Sequence, residues 1–255
     1  MSEGRHPRNL AGMFTFLLIA LTFLLAGFVK GVIGLGLPTV AVGLLGLVML
    51  PAEAAALLVV PSMVTNLWQL FAGPRFGALA RRLWPMLAMI CVGTWAGAGL
   101  LTGGSAGRAT AMLGGALVLY ALVGLTRLQL RVPARWERPL QPLIGIATGL
   151  VTAATGVFVL PAVPFIQALG LDREDLIQAL GLSFTVSTLA LATSLAHDGA
   201  FGGTALGQSA LAVAPALLGM AIGQWVRLRV QPEMFRRCFF VGLLVLGADL
   251  VLRAL

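Results

Sequence analysis

The sequence predicts an all-α, polytopic membrane protein built from two homologous helical repeats with glycine-broken helices, the repeats being inverted. Three observations carry this reading. The 255-residue chain is 59% hydrophobic and only 10% charged, whereas a soluble domain carries roughly 25% charged residues. Apolar runs close to the roughly 20 residues of a spanning helix recur from end to end. Two of these runs, one in each half, are broken by glycine and closed by proline: Gly31-Val-Ile-Gly34-Leu-Gly36-Leu-Pro38, and Gly149-Leu-Val-Thr152-Ala-Ala-Thr155-Gly156-Val-Phe-Val-Leu-Pro161. Internal Gly costs a helix roughly 1 kcal/mol and internal Pro about 3, so both runs should unwind or kink. Backbone freed in hydrocarbon must be satisfied by protein or a water-lined cavity. Paired interruptions in two halves mark a transporter's binding site.

Eight to ten hydrophobic segments are readable, ten at the finest division: 11–29, 33–50, 54–73, 83–102, 109–126, 140–155, 156–170, 176–196, 206–226 and 237–254. The first follows a basic start (Arg5, His6, Arg8). It exceeds a signal-peptide core and lacks an Ala-x-Ala site, so it is expected to stay. The second carries the first break and then Gly46, expected in ordinary helix. The third opens at Glu53, placed to stabilise a helix start. It continues through Pro61, which should free backbone for a ligand, to Ser62, Thr65, Asn66 and Gln69. Steps of three and four put Ser62, Asn66 and Gln69 on one stripe, with Thr65 adjoining.

The fourth segment, Pro85-Met-Leu-Ala-Met-Ile-Cys-Val-Gly-Thr-Trp95, is matched in the ninth by Pro215-Ala-Leu-Leu-Gly-Met-Ala-Ile-Gly-Gln-Trp225. The sixth and seventh flank the second break, with Thr148, Thr152, Thr155 and Gly156. These two and the second are short and read as half-helices or re-entrant elements. The eighth opens at Glu174, nine residues before Ser183, as Glu53 stands nine before Ser62, and adds Thr185, Ser187 and Thr188. Three features thus recur in one order, which implies a duplication: residues 1–126 form a first transmembrane repeat, 127–139 a basic cytoplasmic linker, and 140–255 a second repeat.

The formal charge of +8 sits in short loops between apolar runs, as membrane topology requires, so the partner is a lipid bilayer and not nucleic acid. Lys and Arg favour the cytoplasmic face. If all ten segments cross, thirteen of the seventeen basic residues fall on the linker side, and Arg5, Arg8, Arg108 and Arg253 on the other. Counting each broken pair as one crossing, with Lys30 left out, gives only ten against six. Five crossings per half follow, with the linker inside, both termini outside and the repeats inverted.

The residues that could bind a substrate cluster at the breaks. A half-helix restarting after a break points unpaired N–H groups and its positive dipole end at the gap, which favours anions. Gly34, Gly36, Thr65, Asn66 and Gln69 form the expected substrate site in the first half, and Thr155, Gly156, Ser183 and Ser187 in the second. Neutral hydroxyls and amides hold an anion without leaving a fixed charge in hydrocarbon; their other use is as glue between helices. Lys30 is the main ionisable residue within the spans. It is a charge partner for substrate if deep, or it snorkels to the surface.

No buried carboxylate relay is visible. Cys91 and Cys238 read as buried thiols without disulfide or metal spacing, and His197 as a loop residue beside Asp198. No catalytic residue, metal or cofactor is expected, nor any nucleotide-binding or hydrolase motif.

At these breaks the sequence resembles the TauE/SafE sulfite exporter family, the sulfite and organosulfonate permeases. The resemblance rests on Gly27-Phe-Val-Lys-Gly31-Val-Ile-Gly34-Leu-Gly36-Leu-Pro38, on Leu50-Pro51-Ala52-Glu53 through Ser62, Thr65 and Asn66, on the central basic loop, and on the second, weaker glycine run. The family's opening often has more consecutive glycines and a later Pro, and Gly156-Val-Phe-Val-Leu-Pro161 lacks a second Gly. The resemblance implies a multi-pass transporter of the inner (plasma) membrane, moving sulfite, a sulfonate or a related small anion by alternating access between the repeats. An anion channel of the same architecture and a non-transporting membrane assembly factor are the alternatives. A homo-oligomer stays open.

Overall fold

The structure, a computed structural model, describes residues 6–126, 131–229 and 232–254, with side chains from Met13 onward except that of Pro232. The charges of the N-terminal start and Arg127 of the linker lie outside what is described. Every regular element among the described residues is a helix. The ten apolar segments appear in order as α1 (His6–Ile33), α2 (Leu37–Leu45), α3 (Pro51–Leu70), α4 (Phe76–Ala96), α5 (Ala106–Leu125), α6 (Ala134–Thr155), α7 (Ala162–Gln167), α8 (Arg173–His197), a ninth divided at Ala212 into α9 (Gly203–Leu211) and α10 (Val213–Arg227), and α11 (Pro232–Ala254). By length and composition, five stretches are long and apolar enough to cross a membrane: Met13–Ile33, Phe76–Ala96, Ala106–Leu125, Arg173–His197 and Gly203–Arg227.

Both breaks form. The chain leaves α1 at Ile33 and resumes at Leu37 through Gly34 (φ +80°) and Gly36 (φ +106°). It leaves α6 at Thr155 through Gly156 (φ +72°) and resumes at Ala162 after a cis Leu160–Pro161 bond. These φ values are ones that residues with a Cβ avoid, which is why glycine occupies each.

The sixth segment is not short: α6 runs 22 residues, starting after Pro133 inside the basic stretch. Arg135, Glu137 and Arg138 hide its first turns from a hydropathy reading. There Glu137 forms a two-pronged ion pair with Arg82 of α4, at 2.6 and 2.8 Å. Of the three segments read as short, α2 and α7 do form short helices, of 9 and 6 residues.

Helices pair across the two halves, with glycines at the closest approaches. A Cβ on Gly27 or Gly31 of α1 would run into the carbonyl oxygen of Ala216 or Met220 of α10; one on Gly219 or Gly223 would run into that of Leu24 or Phe28. The second crossing repeats the first. Gly145 and Gly149 of α6 sit on the carbonyls of Met86 and Ile90 of α4, and Gly93 on that of Ile146. In both pairs residue numbers rise together, so the partners run parallel. Without a hydrophobic force between helices in lipid, such small-residue contacts are what hold spans together.

The other principal contacts run antiparallel. On α3 and α8, Ser62 meets Thr188 while Gln69 lies against Gly181 and Leu70 against Gln178. On α5 and α11, Gly114 lies on Gly247, and Tyr120 on Phe240 with ring centres 5.2 Å apart.

Several local expectations change. Pro61 does leave the Leu57 carbonyl without its helical donor, but α3 continues through it and Ser209 of α9 fills the place. The Ser209 hydroxyl donates to Leu57 O at 2.8 Å and accepts from Val60 N at 3.0 Å. The freed backbone is closed by protein and offers nothing to a ligand. Gly46 caps the end of α2 and is not in ordinary helix. His197 is the last residue of α8, its ring 5.7 Å from that of Trp95. Cys238 is exposed on α11 rather than buried, and Cys91 is half-buried, because each lies on an outward face of its helix.

Candidate functional site

The stripe read on α3 meets the end of α1 and the middle of α8 in a buried polar cluster. Lys30, 2% exposed, lies one turn before the first break. Its ammonium donates to Thr65 Oγ1 at 3.0 Å and, in a short contact, to Asn66 Oδ1. Thr65 can accept because its own proton goes to the Pro61 carbonyl at 2.8 Å. Asn66, 1% exposed, is oriented by the same logic. With Oδ1 on the lysine, its amide nitrogen donates to Ser62 Oγ at 3.0 Å and Thr188 Oγ1 at 3.1 Å. Thr188 spends its proton on Phe184 O at 2.7 Å, so in the 3.3 Å contact between the two hydroxyls Ser62 donates and Thr188 accepts. The ammonium also stands 5.9 Å from the centre of the Phe184 ring, within cation–π reach.

Gln69 ties this cluster to the break. Its Nε2 donates to the Gly34 carbonyl at 2.7 Å, which fixes the amide orientation and leaves Oε1 without a partner. Ser183 and Ser187 of α8, both wholly buried, also have hydroxyls without partners. They lie one turn apart, on the stripe beside Phe184 and Thr188. A buried polar group left unpaired costs about 1–3 kcal/mol, and such groups in a native protein call for an explanation. Among the described residues no carboxylate bonds to Lys30. The cage around it is neutral oxygen and one aromatic face.

The expected glycine positions divide. A Cβ on Gly34 would meet only Gln69 Nε2, at 3.9 Å, so this glycine faces the polar cluster. The corresponding positions on Gly36 and Gly156 are walled by apolar atoms: Val29 at 2.9 Å and Phe239 at 3.1 Å for the first, Ala55 at 2.8 Å for the second. The Thr155 hydroxyl donates to Val151 O at 2.7 Å and accepts from Val157 N at 3.1 Å, closing the second break upon itself. That break reaches the cluster through Phe158, whose ring centre is 5.5 Å from that of Phe184. Sequence reasoning did not single out Phe184 as the hinge of these contacts, since a lone Phe in an apolar run has no periodic signal.

Nor did it single out Gln178, which donates to the carbonyls of Leu70 (2.7 Å) and Gly73 (2.5 Å) and accepts from Arg75 N (3.0 Å), closing the end of α3.

A lysine in a neutral cage beside a helix break is suited to hold an anion. Comparison with curated proteins gives no match, and comparison with solved structures gives none either. The family model described as "Sulfite exporter TauE/SafE" matches residues 19–250, taking in α1 from its middle to nearly the end of α11. This multi-pass helical chain, with both broken helices and the lysine cage inside the matched region, belongs to the TauE/SafE sulfite exporter family of membrane transporters.

Proposed function

We propose that the chain is a plasma-membrane permease that passes a small anion, sulfite or an organosulfonate, through the Lys30 cage by alternating access. The carrying observation is the buried ammonium with neutral partners only. A buried cation is costly unless paired, and an anionic substrate supplies the missing charge. Ser183 and Ser187 add hydroxyl donors close to the cage, and Gln69 an acceptor suited to a protonated oxyanion.

The repeats are inverted. Equivalent helices that cross antiparallel, as α3 and α8 do and α5 and α11 do, are related by an axis perpendicular to them. For helices along the membrane normal that axis lies in the membrane plane. The parallel pairs α1–α10 and α4–α6 fit ten crossings, whereas eight would make α3 parallel to α8. The bodies that rock are therefore not the sequence repeats. Each tight glycine crossing joins a helix of one repeat to a helix of the other, so α1–α10 moves as one unit against α4–α6, with the cage where Lys30 of α1 meets α3 and α8. Reporter fusions in the 127–138 stretch should read cytoplasmic and fusions after Leu255 outside; a cytoplasmic C-terminus sinks the inverted arrangement.

Anion uptake into proteoliposomes tests the function itself. The wild-type protein should carry sulfite or an organosulfonate saturably. Asn66→Ala and Gln69→Ala should each lower uptake at least tenfold, hydrogen bonds to charged groups being worth about 1.5–3 kcal/mol, with membrane abundance close to normal. Full uptake by both variants would reduce the stripe to helix glue.

A further inference from the structure

The matched stretches Pro85–Trp95 and Pro215–Trp225 do not fold alike. Pro85 lies inside α4, which runs unbroken from Phe76 to Ala96. At the equivalent place Pro215 follows a break: α9 ends at Leu211 and α10 starts at Val213. Each proline lacks the N–H that would bond the carbonyl four residues before it, Arg81 in one helix and Leu211 in the other. The difference lies in what stands beside them. Gln141 of α6, wholly buried, donates from Nε2 to the Arg82 carbonyl at 3.1 Å. Matching Gly145 and Gly149 to Gly27 and Gly31 puts Phe23 of α1 in the place of Gln141, and a phenyl ring offers no such bond. Arg82 is the mate of Ala212, the residue at the break. The first proline is braced and the second is not.

The two pieces of the ninth segment also pack into different bodies. Ala212 and Ala216 belong to the main core, and Gly219 and Gly223 seat α10 on α1. Ala205 of α9 packs instead against a separate cluster that includes Ala55, Val59 and Leu195, on α3 and α8. One turn further on, Ser209 is the one buried residue of α9. Its hydroxyl bonds Leu57 O and Val60 N, filling the gap that Pro61 opens in α3. Ser62 follows that gap at once, and Thr65 is bonded to the Pro61 carbonyl. Ser209 therefore holds α3 directly beside the cage.

We propose that Ala212 is a hinge between two moving bodies: α10 travels with α1, α9 travels with α3, and Ser209 is the positioning residue that ties α9 to the cage helix. When α1–α10 moves against the helices carrying Thr65, Asn66 and Thr188, the chain joining the two bodies must give. It gives at the unbraced proline. Helices kink at proline, and hinges are a few element-terminal residues that absorb the change in φ and ψ. The part played in transport rests on the permease reading above, whereas the hinge itself rests on packing alone.

Distances between paired spin labels, measured by pulsed electron resonance on the full chain with Cys91 and Cys238 replaced by serine, test the hinge. Leu206→Cys with Leu218→Cys spans it from exposed sites on α9 and α10. Phe76→Cys with Ala88→Cys spans the matching interval of α4 and is the control. The hinge pair should give a distribution at least about twice as wide as the α4 pair, and Pro215→Ala should narrow it. A third pair, Leu206→Cys with Trp68→Cys, should be narrow and should broaden in Ser209→Ala. In proteoliposomes Pro215→Ala and Ser209→Ala should each lower sulfite uptake about tenfold. In a Pro61→Ala background, where position 61 regains an N–H for Leu57 O, Ser209→Ala should cost no further uptake. Equal widths for the hinge and α4 pairs, or full uptake by Pro215→Ala, overturn the proposal. An undiminished cost of Ser209→Ala in the Pro61→Ala background makes Ser209 a packing residue and overturns its positioning role. If the wild type carries no anion while the hinge pair stays broad, the permease reading fails and the hinge stands.

Discussion

Lys30→Met is expected to abolish anion flux while the folded protein stays in the membrane near its normal level. The two consequences separate because the lysine's neighbours are neutral. Removing the ammonium deprives an anionic substrate of its only cationic partner in the cage, and losing one partner of a buried charge pair costs about 2–5 kcal/mol or more. That is a fall in binding of roughly thirtyfold to several thousandfold. The resting protein loses little. Asn66 Oδ1 gives up a donor, but Asn66 keeps its bonds to Ser62 and Thr188, and Thr65 keeps its bond to Pro61. The cost of burying an ammonium disappears at the same time. Counterflow in proteoliposomes, alongside abundance in membranes, checks both halves. Normal flux in Lys30→Met would leave the lysine as a tether between α1 and α3.

Gly219→Ala should remove most of the folded protein, although it adds only a single methyl group. That methyl would overlap the Leu24 carbonyl oxygen and stand 2.8 Å from Phe28 N, and backbone cannot step aside as a side chain can. The helices α1 and α10 would have to separate along their whole crossing. Overpacking costs about 1–3 kcal/mol and sometimes more, a large part of a marginal stability. Gly145→Ala, at the matching crossing of α4 and α6, should behave alike. Gly115→Ala is the control: on the exposed face of α5 its Cβ meets nothing within 4 Å, and alanine's better helix propensity predicts a neutral or slightly stabilising change. Thermal midpoints of the detergent-purified variants decide this. A wild-type midpoint for Gly219→Ala would mean that α1 and α10 do not pack as described.

What the sequence made legible was what repeats locally. Glycine followed by proline in an apolar run announced both breaks, and steps of three and four announced the stripe Ser62, Asn66 and Gln69, because each is decided within a few residues. What faces that stripe is a tertiary matter. Thr188 and Phe184 close the cage from 120 residues away, and nothing in their own neighbourhood marks them above Thr185 or Val186.

Pro61 shows the same limit from the other side. Chain chemistry rightly said that a carbonyl would lose its donor, but only the fold could say that Ser209 supplies a replacement. The glycines of the first run also proved to be of two kinds: Gly34 faces the polar cluster, while Gly27 and Gly31 exist for contact with α10. Spacing alone does not tell a residue that frees backbone from one that lets two backbones touch.

The two glycine crossings are alike in space but unlike in time. During synthesis only α5 and the linker separate α4 from α6, and Gly145 reaches Met86 across roughly 60 residues, whereas Gly31 finds Met220 only across roughly 190. At about 5–20 residues per second, the first junction can close within roughly 3–12 s of its earlier helix being made, and the second must wait about 10–40 s. Through that interval α1 sits beside lipid with its glycine face bare. In water such a face would invite misassembly. In a bilayer acyl chains fill the groove as well as any apolar side chain, and little drives a wrong helix into it. A protein with its first helix bound to its second-last is thus assembled around a long-delayed closure that the lipid itself makes safe.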